Sequence, residues 1–478
     1  MAKRSLLEQL QRCIEHAEWR KAEKLLHQAA DDLLSEDERS DATEGLLMLA
    51  MTYLTIGKQE QAESLLHWGA TVSERAYRPG YGRVLRALGE VQSDLGRYDV
   101  AVQTLTRAFE EHRTTLGEND RETARDVMSL AKLASAAGNA MQAASLCAEA
   151  VERLQRRVGS DSPELIDPLH AQAEILLDSD LSHEDRCLPA EEILRRIAGL
   201  QETQDPSSLD LGWTYFDLAE LLQDHERCDE ACDFGRQAWD LGQRHFEQDA
   251  TLFEEANGWL RWWYQAHDHT DELVDLLTRA LDIWREQLGF DHPKAAQAAA
   301  ALGEAVARAG RLDEADQLCA RAVEVFVRFF GEMPVSSELL PSTAEDLATI
   351  RIAYASPLET RASIALRRSN RRAAQLFAWR ALRLLDVPAD GLTDQLRSNL
   401  VSMRSEILRL LGQASETDAE AERLFQRAIA EAQASEGEAL PDALDDYADW
   451  LESRGRQAEA QQTRDQADAW WNAGDDPA

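Results

Sequence analysis

The sequence is poor in the residues that punctuate β-rich chains. Its 478 residues include only 12 prolines and 24 glycines, too few for a protein with many tight turns. The six cysteines are scattered singly, which is typical of a reduced compartment and not of a disulfide framework. The chain has no run of 18 apolar residues and no apolar signal core before Glu8, so we expect a cytoplasmic protein without a transmembrane helix.

Positive charge is also scarce. The chain carries 51 Lys and Arg against 88 Asp and Glu, a formal net charge of −37 at pH 7. Such a protein repels phosphate backbones and anionic lipid surfaces, so we expect neither nucleic acid nor a membrane as a partner. Hydrophobic residues at 44% and charged residues at 29% are typical of a folded chain and not of a disordered one.

The motifs that mark common enzymes are missing. The sequence has no Gly-x-Ser-x-Gly, no phosphate-binding loop ending in Gly-Lys-Ser/Thr and no His-Glu-x-x-His. His225, Cys228 and Cys232 are residue types that bind zinc, but a fourth ligand is missing, and packing of the cysteines is the alternative. The sequence therefore predicts a protein that is not an enzyme and holds no cofactor or metal.

A repeat is the main feature that the sequence does contain. Gly96 and Gly138 are 42 residues apart, and so are Gly289 and Gly331. Between Gly289 and Gly331, apolar residues recur three or four positions apart, as they do on one face of a helix. Gly310 interrupts this pattern near the middle of the unit. Each unit thus predicts two antiparallel helices joined by a turn. Because neither helix can bury its apolar face alone, neighbouring hairpins must stack.

Small residues recur in two series at fixed distances from the turns. Close approach of two helices needs a small side chain, and enlarging a packed position typically costs about 1–3 kcal/mol. Two series in register across five units predict helix crossings at these positions. The first series is Ala62, Ala101, Ala143, Ala231 and Ala315, and the second is Gly69, Ala108, Ala150, Ala238 and Ala322.

This order of residues resembles the tetratricopeptide repeat. The matching residues of one unit are Leu302, Gly303, Val306, Gly310, Leu312, Ala315, Cys319 and Ala322. The 42-residue period and the Leu-Gly-x-x-His-Pro lead-in are similar to the longer subclass of kinesin light chains and many bacterial proteins, and a bacterial source is expected. The resemblance implies an all-α, right-handed superhelical solenoid of about eleven antiparallel hairpins, with the first helix of each hairpin lining an inner groove.

The predicted turns and breaks divide the chain. We expect an array of about eight hairpins over 1–333, an inserted helix or register break over 334–358, further hairpins over 359–470 and a frayed tail over 471–478. The inserted helix is expected at Ser342–Ile352, and a lengthened turn is expected through His183, Cys187 and Pro189. The hairpin turns are expected near Ala17, Gly57, Gly96, Gly138, Asp180, Glu226, Asp268, Gly310, Ser369, Gly412 and Gly455.

Two sets of residues fall at the inward positions that the resemblance implies. Arg83, Arg86, Arg125 and Lys132, with Met128 among them, would form a cationic strip able to hold a carboxylate or an acidic peptide. The alternative is ordinary salt bridging, for instance from Arg86 to Glu90, worth about 0.2–0.5 kcal/mol.

The second set is aromatic. Trp213, Phe216 and Trp262 are residue types that anchor interfaces when exposed. The alternative is that they fill gaps between hairpins, where aromatic side chains bury much area.

The leading hypothesis for function is a non-enzymatic scaffold or adaptor that binds a peptide or protein segment in the groove. The alternative is a peptide-gated regulatory receptor that acts on a partner protein, and a third is a metal-dependent enzyme built around His225, Cys228 and Cys232. Self-association through the C-terminal hairpin is possible, since Trp450, Trp470 and Trp471 lie near the end of the chain.

Overall fold

A computed structural model describes residues 6–16, 18–31, 36–76, 78–178, 183–223, 227–331, 344–387, 392–433 and 439–474. Within these ranges every regular element is helical. None of these helices is long and apolar enough to span a membrane. A 3₁₀ turn at Pro163–Leu165 precedes α9, and the α-helices of the described residues are α1 (Leu6–Glu15), α2 (Trp19–Asp31), α3 (Glu36–Thr55), α4 (Gln59–Ala76), α5 (Arg78–Asp94), α6 (Tyr98–Thr115), α7 (Arg121–Ala136), α8 (Ala140–Val158), α9 (Ile166–Leu177), α10 (His183–Gln204), α11 (Leu209–Gln223), α12 (Cys228–Arg244), α13 (Thr251–Ala266), α14 (Thr270–Leu288), α15 (Pro293–Arg308), α16 (Leu312–Phe330), α17 (Ala344–Arg367), α18 (Arg371–Leu384), α19 (Asp394–Ala414), α20 (Asp418–Gln433), α21 (Ala439–Ser453) and α22 (Gln457–Gly474).

Among the described residues, consecutive helices pair across short connections into hairpins, from α1/α2 to α11/α12 before α13 and from α15/α16 to α21/α22 after α14. The chain divides into two units, Met1–Ala256 and Asn257–Ala478, and each is described by itself. The all-α repeat fold predicted from the sequence is therefore confirmed. The handedness of the array and the division at 334–358 stay predictions.

The two helices of a hairpin differ in what they pack against. First helices of successive hairpins contact one another, as α3, α5, α7 and α9 do in the first unit and α15, α17, α19 and α21 do in the second. Second helices pack on their own partners and on the first helices that follow, as α4 does on α3 and α5 and as α18 does on α17 and α19. We call the first helices the inner row and the second helices the outer row. The core lies between the rows, where leucine and alanine side chains are buried.

The two small-residue series lie where the sequence predicts helix crossings. Ala62, Ala101, Ala143, Ala231 and Ala315 are fully buried, and so are the alanines of the second series. A Cβ atom on Gly303 would lie 2.5 Å from the Sγ atom of Cys319, so only glycine fits where α15 crosses α16. The small side chains let the paired helices approach closely.

Most of the predicted turns are confirmed. Gly57, Gly96, Gly138, Gly310 and Gly455 have positive φ values, and Asp268 and Ser369 each adopt φ of 58° at the same position of their hairpins. The turns expected at Ala17, Asp180 and Glu226 lie outside the described residues. The turn predicted near Gly412 is found at 415–417, between α19 and α20, although Gly412 itself lies inside α19. A Cβ atom there would come within 2.8 Å of the Phe425 ring, so a close packing contact requires the glycine.

Three helices extend further than the sequence predicts. Cys187 and Pro189 belong to α10, and not to a lengthened turn, because Cys187 is buried and the helix begins at His183. Residues 344–352 are the start of the 24-residue α17, which continues through Pro357, so they do not form a separate helix. At the C-terminus α22 continues to Gly474, beyond the position where fraying was expected.

Candidate functional site

Arg86, one of the arginines of the predicted cationic strip, is already neutralised by carboxylates of the protein itself. Arg86 on α5 donates to Glu122 Oε2 at 2.6 Å and to Asp126 Oδ1 at 3.1 Å, both on α7. Its side chain is only 13% exposed, and the Asp126 side chain is 0% exposed. His112 Nδ1 on α6 lies 2.6 Å from the other oxygen of Asp126. Arg86 therefore joins the third hairpin to the fourth and is not free to bind a partner.

The pKa shifts agree with this structural role. Burial lowers the pKa of Arg86, but the Asp126 and Glu122 carboxylates outweigh it and leave the pKa raised. Burial likewise raises the pKa of Glu122, and the Arg86 guanidinium outweighs it and leaves the pKa lowered. For Asp126 burial dominates, so its pKa is raised in spite of hydrogen bonds from His112 and Arg86. Asp126 thus depends on both neighbours to stay ionised.

The salt-bridging alternative for Arg86 applies, but the partner predicted for it was wrong. Glu90 instead accepts a hydrogen bond from Ser129 Oγ at 2.6 Å. Arg83 pairs with Glu44 of the preceding hairpin at 2.9 Å, and both side chains are well exposed. The first two arginines of the strip are therefore held by carboxylates of neighbouring hairpins.

The rest of the strip lines a pocket. This pocket, of about 160 Å³, lies between α7 and α9, in the inner row of the first unit. Met128 is buried and forms part of its apolar floor with Ala124, Leu154 and Ala171. The structure therefore brings Arg125, Met128 and Lys132 together as expected. We call this the α7/α9 pocket.

Opposite charges face each other across the α7/α9 pocket. Arg121, Arg125 and Lys132 stand on the α7 side, and Glu164 and Asp167 stand on the α9 side. Arg125 also pairs with Glu122 at 2.9 Å. Lys132 is exposed and forms no hydrogen bond or ion pair with the described residues. The pocket thus offers cationic donors on one wall and carboxylate acceptors on the other.

Sequence reasoning missed two of these residues, Arg121 and Glu164. Arg121 precedes Arg125 by one helical turn and completes a single stripe of α7 with Met128 and Lys132. The i, i+4, i+7, i+11 spacing was available as a signal. The opposite wall was harder to find, because Glu164 lies in the 3₁₀ turn before α9, which the repeat pattern does not show.

The three residues of the predicted aromatic set differ in exposure. Phe216 is buried, with its ring edge-on to Trp213 at 6.0 Å between centroids, so the prediction of an exposed anchor is wrong for Phe216. Trp213 is half-buried, and Trp262 is 47% exposed in the second unit. Its neighbours Trp263 and Tyr264 are core residues. The gap-filling alternative describes most of the set.

A carboxylate next to Phe216 is strongly perturbed. Burial raises the pKa of Asp217 on α11 to about 6, and the charge of Glu220 adds to the shift. No hydrogen bond to Asp217 is found among the described residues. This inner-row position changes charge close to neutral pH.

Two of the three residues named in the metal hypothesis lie in the described part of the chain. Cys232 is buried and Cys228 half-buried on α12, while His225 lies outside the described residues. No group of three or more His, Cys, Asp or Glu side chains in the described ranges could hold a metal ion. Burial raises the pKa of the Cys147 and Cys319 thiols to about 12, which disfavours their thiolates at neutral pH. These cysteines act as small packing residues.

The C-terminal aromatics also pack inward. Trp450 is buried against Phe425 and Tyr447, with ring centroids 5.8 and 5.9 Å away. Trp470 is half-buried on α22, and the Trp471 side chain lies outside the described residues. Self-association through this hairpin stays a prediction.

Comparisons with known proteins give partial structural likenesses. No family model and no curated protein matches the sequence. The kinesin light chain TPR-like repeats of Podosopora anserina are 18% identical with a TM-score of 0.34, over 44% of this chain and 97% of that one. BtubC of P. vanneervenii is 20% identical with a TM-score of 0.38, over 54% and 94%. The apo quorum sensor NprR of B. thuringiensis is 12% identical with a TM-score of 0.44, over 80% and 99%.

The chain's own hairpins carry the assignment of its fold. The turns with positive φ and the buried small residues at the helix crossings recur from hairpin to hairpin. The first helices of successive hairpins also pack on one another along each unit. By these features the chain is an all-α helical-repeat protein built of stacked hairpins.

Proposed function

We propose that this protein is a non-enzymatic interaction module whose α7/α9 pocket holds a carboxylate-bearing side chain of a partner protein or peptide. The observation that carries the proposal is the pocket itself, with an apolar floor and opposed charged walls. The pocket lies in the inner row, where successive helices supply walls from two hairpins.

The size of the pocket fits one side chain and not a folded domain. An apolar cavity of about 150 Å³ accommodates a benzene-sized group. The volume of about 160 Å³ is therefore enough for one side chain, whose methylene groups would lie on Met128 and Ala171. A longer segment would have to continue along the inner row.

The charges of the pocket set the chemistry of that side chain. Lys132 has no partner among the described residues, so it can donate to an incoming carboxylate without breaking an ion pair. Charge-assisted hydrogen bonds of this kind are about twice as strong as neutral ones. Asp167 on the opposite wall would accept hydrogen bonds from backbone N–H groups of the same segment. The pocket thus favours an acidic residue in an extended peptide.

Selection from a phage-displayed random peptide library tests the proposal. Purified full-length protein is the target, and the Ala171→Leu variant, which fills the pocket, is used to deplete other binders. We expect selected peptides to share an acidic residue and to bind at least tenfold more weakly to Lys132→Glu. Arg244→Glu, an exposed arginine of α12 outside the pocket, is the matched control and should bind normally.

Two results would contradict the proposal. One is a selection that yields only peptides bound equally by wild type and Ala171→Leu. The other is turnover of a small molecule by the purified protein that Ala171→Leu abolishes. For a peptide that does bind, solution scattering with and without it tests the regulatory alternative, which requires a change in the shape of the protein.

A further inference from the structure

A basic segment stands out in the second unit of this acidic protein. Residues 361–385 contain no Asp or Glu, although the whole chain has a net charge of −37. This segment forms the end of α17, the turn at Ser369 and all of α18. Its arginines are Arg361, Arg367, Arg368, Arg371, Arg372, Arg380 and Arg383.

Four of these arginines are engaged within the second unit. Arg361 donates to Asp316 at 2.7 Å, and Arg368 pairs with Asp313. Arg367 donates to the carbonyl oxygen of Ala307 at 2.9 Å, and Arg380 donates to the Tyr354 hydroxyl at 2.9 Å. These contacts hold α17 and α18 in the stack.

The remaining three arginines are exposed. Arg371, Arg372 and Arg383 form no hydrogen bond or ion pair with the described residues. Surface arginines elsewhere in the second unit do find carboxylates, as Arg321 and Arg328 do with Asp291. A set of unpaired guanidinium groups on one helix is therefore unusual for this chain.

Two large apolar side chains share the same face of α18. Leu376 is 66% exposed and Trp379 is 43% exposed. With Arg372 and Arg383 they follow the spacing i, i+4, i+7, i+11, which places all four along one stripe of the helix. We call this stripe, Arg372, Leu376, Trp379 and Arg383, the α18 face. Its apolar centre has an unpaired cation at each end.

We propose that the α18 face is a second docking site, which binds an acidic amphipathic helix of another protein. At about 1.5 Å per residue, the two end arginines stand roughly 16 Å apart along the helix axis. A partner helix with two apolar residues between two carboxylates at the same spacing matches this face in length, polarity and charge. Trp and Arg are the residues most enriched at the energetic centres of interfaces.

The surroundings of the α18 face disfavour polyanions. Asp313 and Glu314 begin α16 of the preceding hairpin, and Asp386 follows α18. A nucleic-acid duplex carries charge along its whole length and would also meet the field of the acidic chain. A short helix with two carboxylates needs only the two end arginines of the α18 face as counter-charges. Two apolar side chains are also too few to anchor the protein in a bilayer.

Fluorescence anisotropy with a defined probe tests the inference. The probe is a stapled 18-residue helical peptide with Glu, Leu, Leu and Glu at i, i+4, i+7 and i+11, and the matched peptide carries Lys at both Glu positions. We expect saturable binding of the Glu peptide only. Binding should weaken at least tenfold in Arg372→Glu/Arg383→Glu and in Leu376→Ser/Trp379→Ala.

Two variants serve as controls for the protein. Arg423→Glu reverses an exposed arginine on α20, and Met141→Ser removes an exposed apolar side chain on α8; neither should change binding. All substituted residues are at least partly exposed, so circular dichroism is expected to show an unchanged helical content. Ala171→Leu should also leave this binding intact, which separates the inference from the proposed function.

Four outcomes would overturn the inference. The first is equal binding of the Lys peptide, and the second is unchanged binding of the Glu peptide by the α18 variants. The third is displacement of the probe by duplex DNA or by vesicles of anionic lipid. The fourth is that a second copy of this chain occupies the α18 face. If sedimentation velocity showed a wild-type dimer that Arg372→Glu/Arg383→Glu dissociates, the face would be a self-association surface.

Discussion

Replacement of Arg86 by leucine tests how the third and fourth hairpins are joined. The guanidinium of Arg86 is shared by Asp126 Oδ1 at 3.1 Å, Glu122 Oε2 at 2.6 Å and the Glu122 carbonyl oxygen at 3.3 Å. Arg86→Leu keeps most of the buried aliphatic volume and removes the charge. Of the partners found among the described residues, the fully buried Asp126 would then retain His112 alone.

The expected cost is large because a buried carboxylate loses its main counter-charge. Removing one partner of a buried ion pair typically costs about 3–5 kcal/mol. Arg83→Leu is the matched control, since the Arg83–Glu44 pair is well exposed and such pairs contribute about 0.2–1 kcal/mol. Asp126→Asn in the Arg86→Leu background removes the stranded charge and keeps an acceptor for His112, so it should recover part of the loss.

Urea unfolding of the full-length protein measures these differences, and hydrogen exchange locates them. Because repeat arrays can unfold in parts, protection of amides in α5–α7 is the more specific readout. We expect faster exchange there in Arg86→Leu and little change in the second unit. Equal losses for Arg86→Leu and Arg83→Leu, or no recovery with Asp126→Asn, would refute this account of the junction.

Two further predictions concern packing and pH. Gly82→Ala should destabilise the protein by about 1–3 kcal/mol, since the new Cβ atom would lie 2.4 Å from His112 Nε2. Gly199→Ala on α10, with no atom within 4 Å of its Cβ position, should be neutral or stabilising, and equal thermal shifts for the two would contradict the packing argument. Asp217→Asn should raise stability at pH 8 by about 1–3 kcal/mol and change it little at pH 4, as measured by thermal unfolding. The sign follows from the pKa of the Asp217 carboxyl, which folding raises from 3.8 to about 6. The stability that this carboxyl contributes is fully present below pH 3.8 and is lost as the pH rises through 6. Asp229→Asn, on the next helix, is its control, and a benefit of Asp217→Asn at pH 4 as large as at pH 8 would exclude ionisation as the cause.

The fold was predictable because its signal is repeated. A single alanine such as Ala315 carries little information, but two series in register across five units indicate the same crossing many times over. Gly412 shows the limit of this reasoning. Glycine marks either a turn or a close approach, and only the position of the Phe425 ring decides between them.

The site was predictable only in part, because binding depends on what other hairpins contribute. Three of the predicted residues, Arg125, Met128 and Lys132, share a stripe of one helix, and the helical period was enough to group them. Arg86 occupies an equivalent position, but its carboxylate partners come from residues 36 and 40 positions later in the chain. Such long-range pairing decides whether a charge is free, and periodicity does not show it.

The α18 face was missed for a different reason. The whole-chain charge of −37 drew attention to the few cations at inward positions and away from the outer row, although it says nothing about local charge. A count of charges over 25-residue windows would have singled out 361–385. The apolar pair Leu376 and Trp379 would still have been assigned to the core, since exposure follows from the neighbours of α18.

The central claim is that Lys132 in the α7/α9 pocket binds a carboxylate of the partner. A double-mutant cycle measures this directly, with one selected peptide and its Glu→Gln form titrated by calorimetry against wild type and Lys132→Met. The claim predicts that each change alone weakens binding and that the second adds little once the first is made, a coupling of about 1–3 kcal/mol. Fully additive losses, with no coupling between Lys132 and the carboxylate, would contradict it.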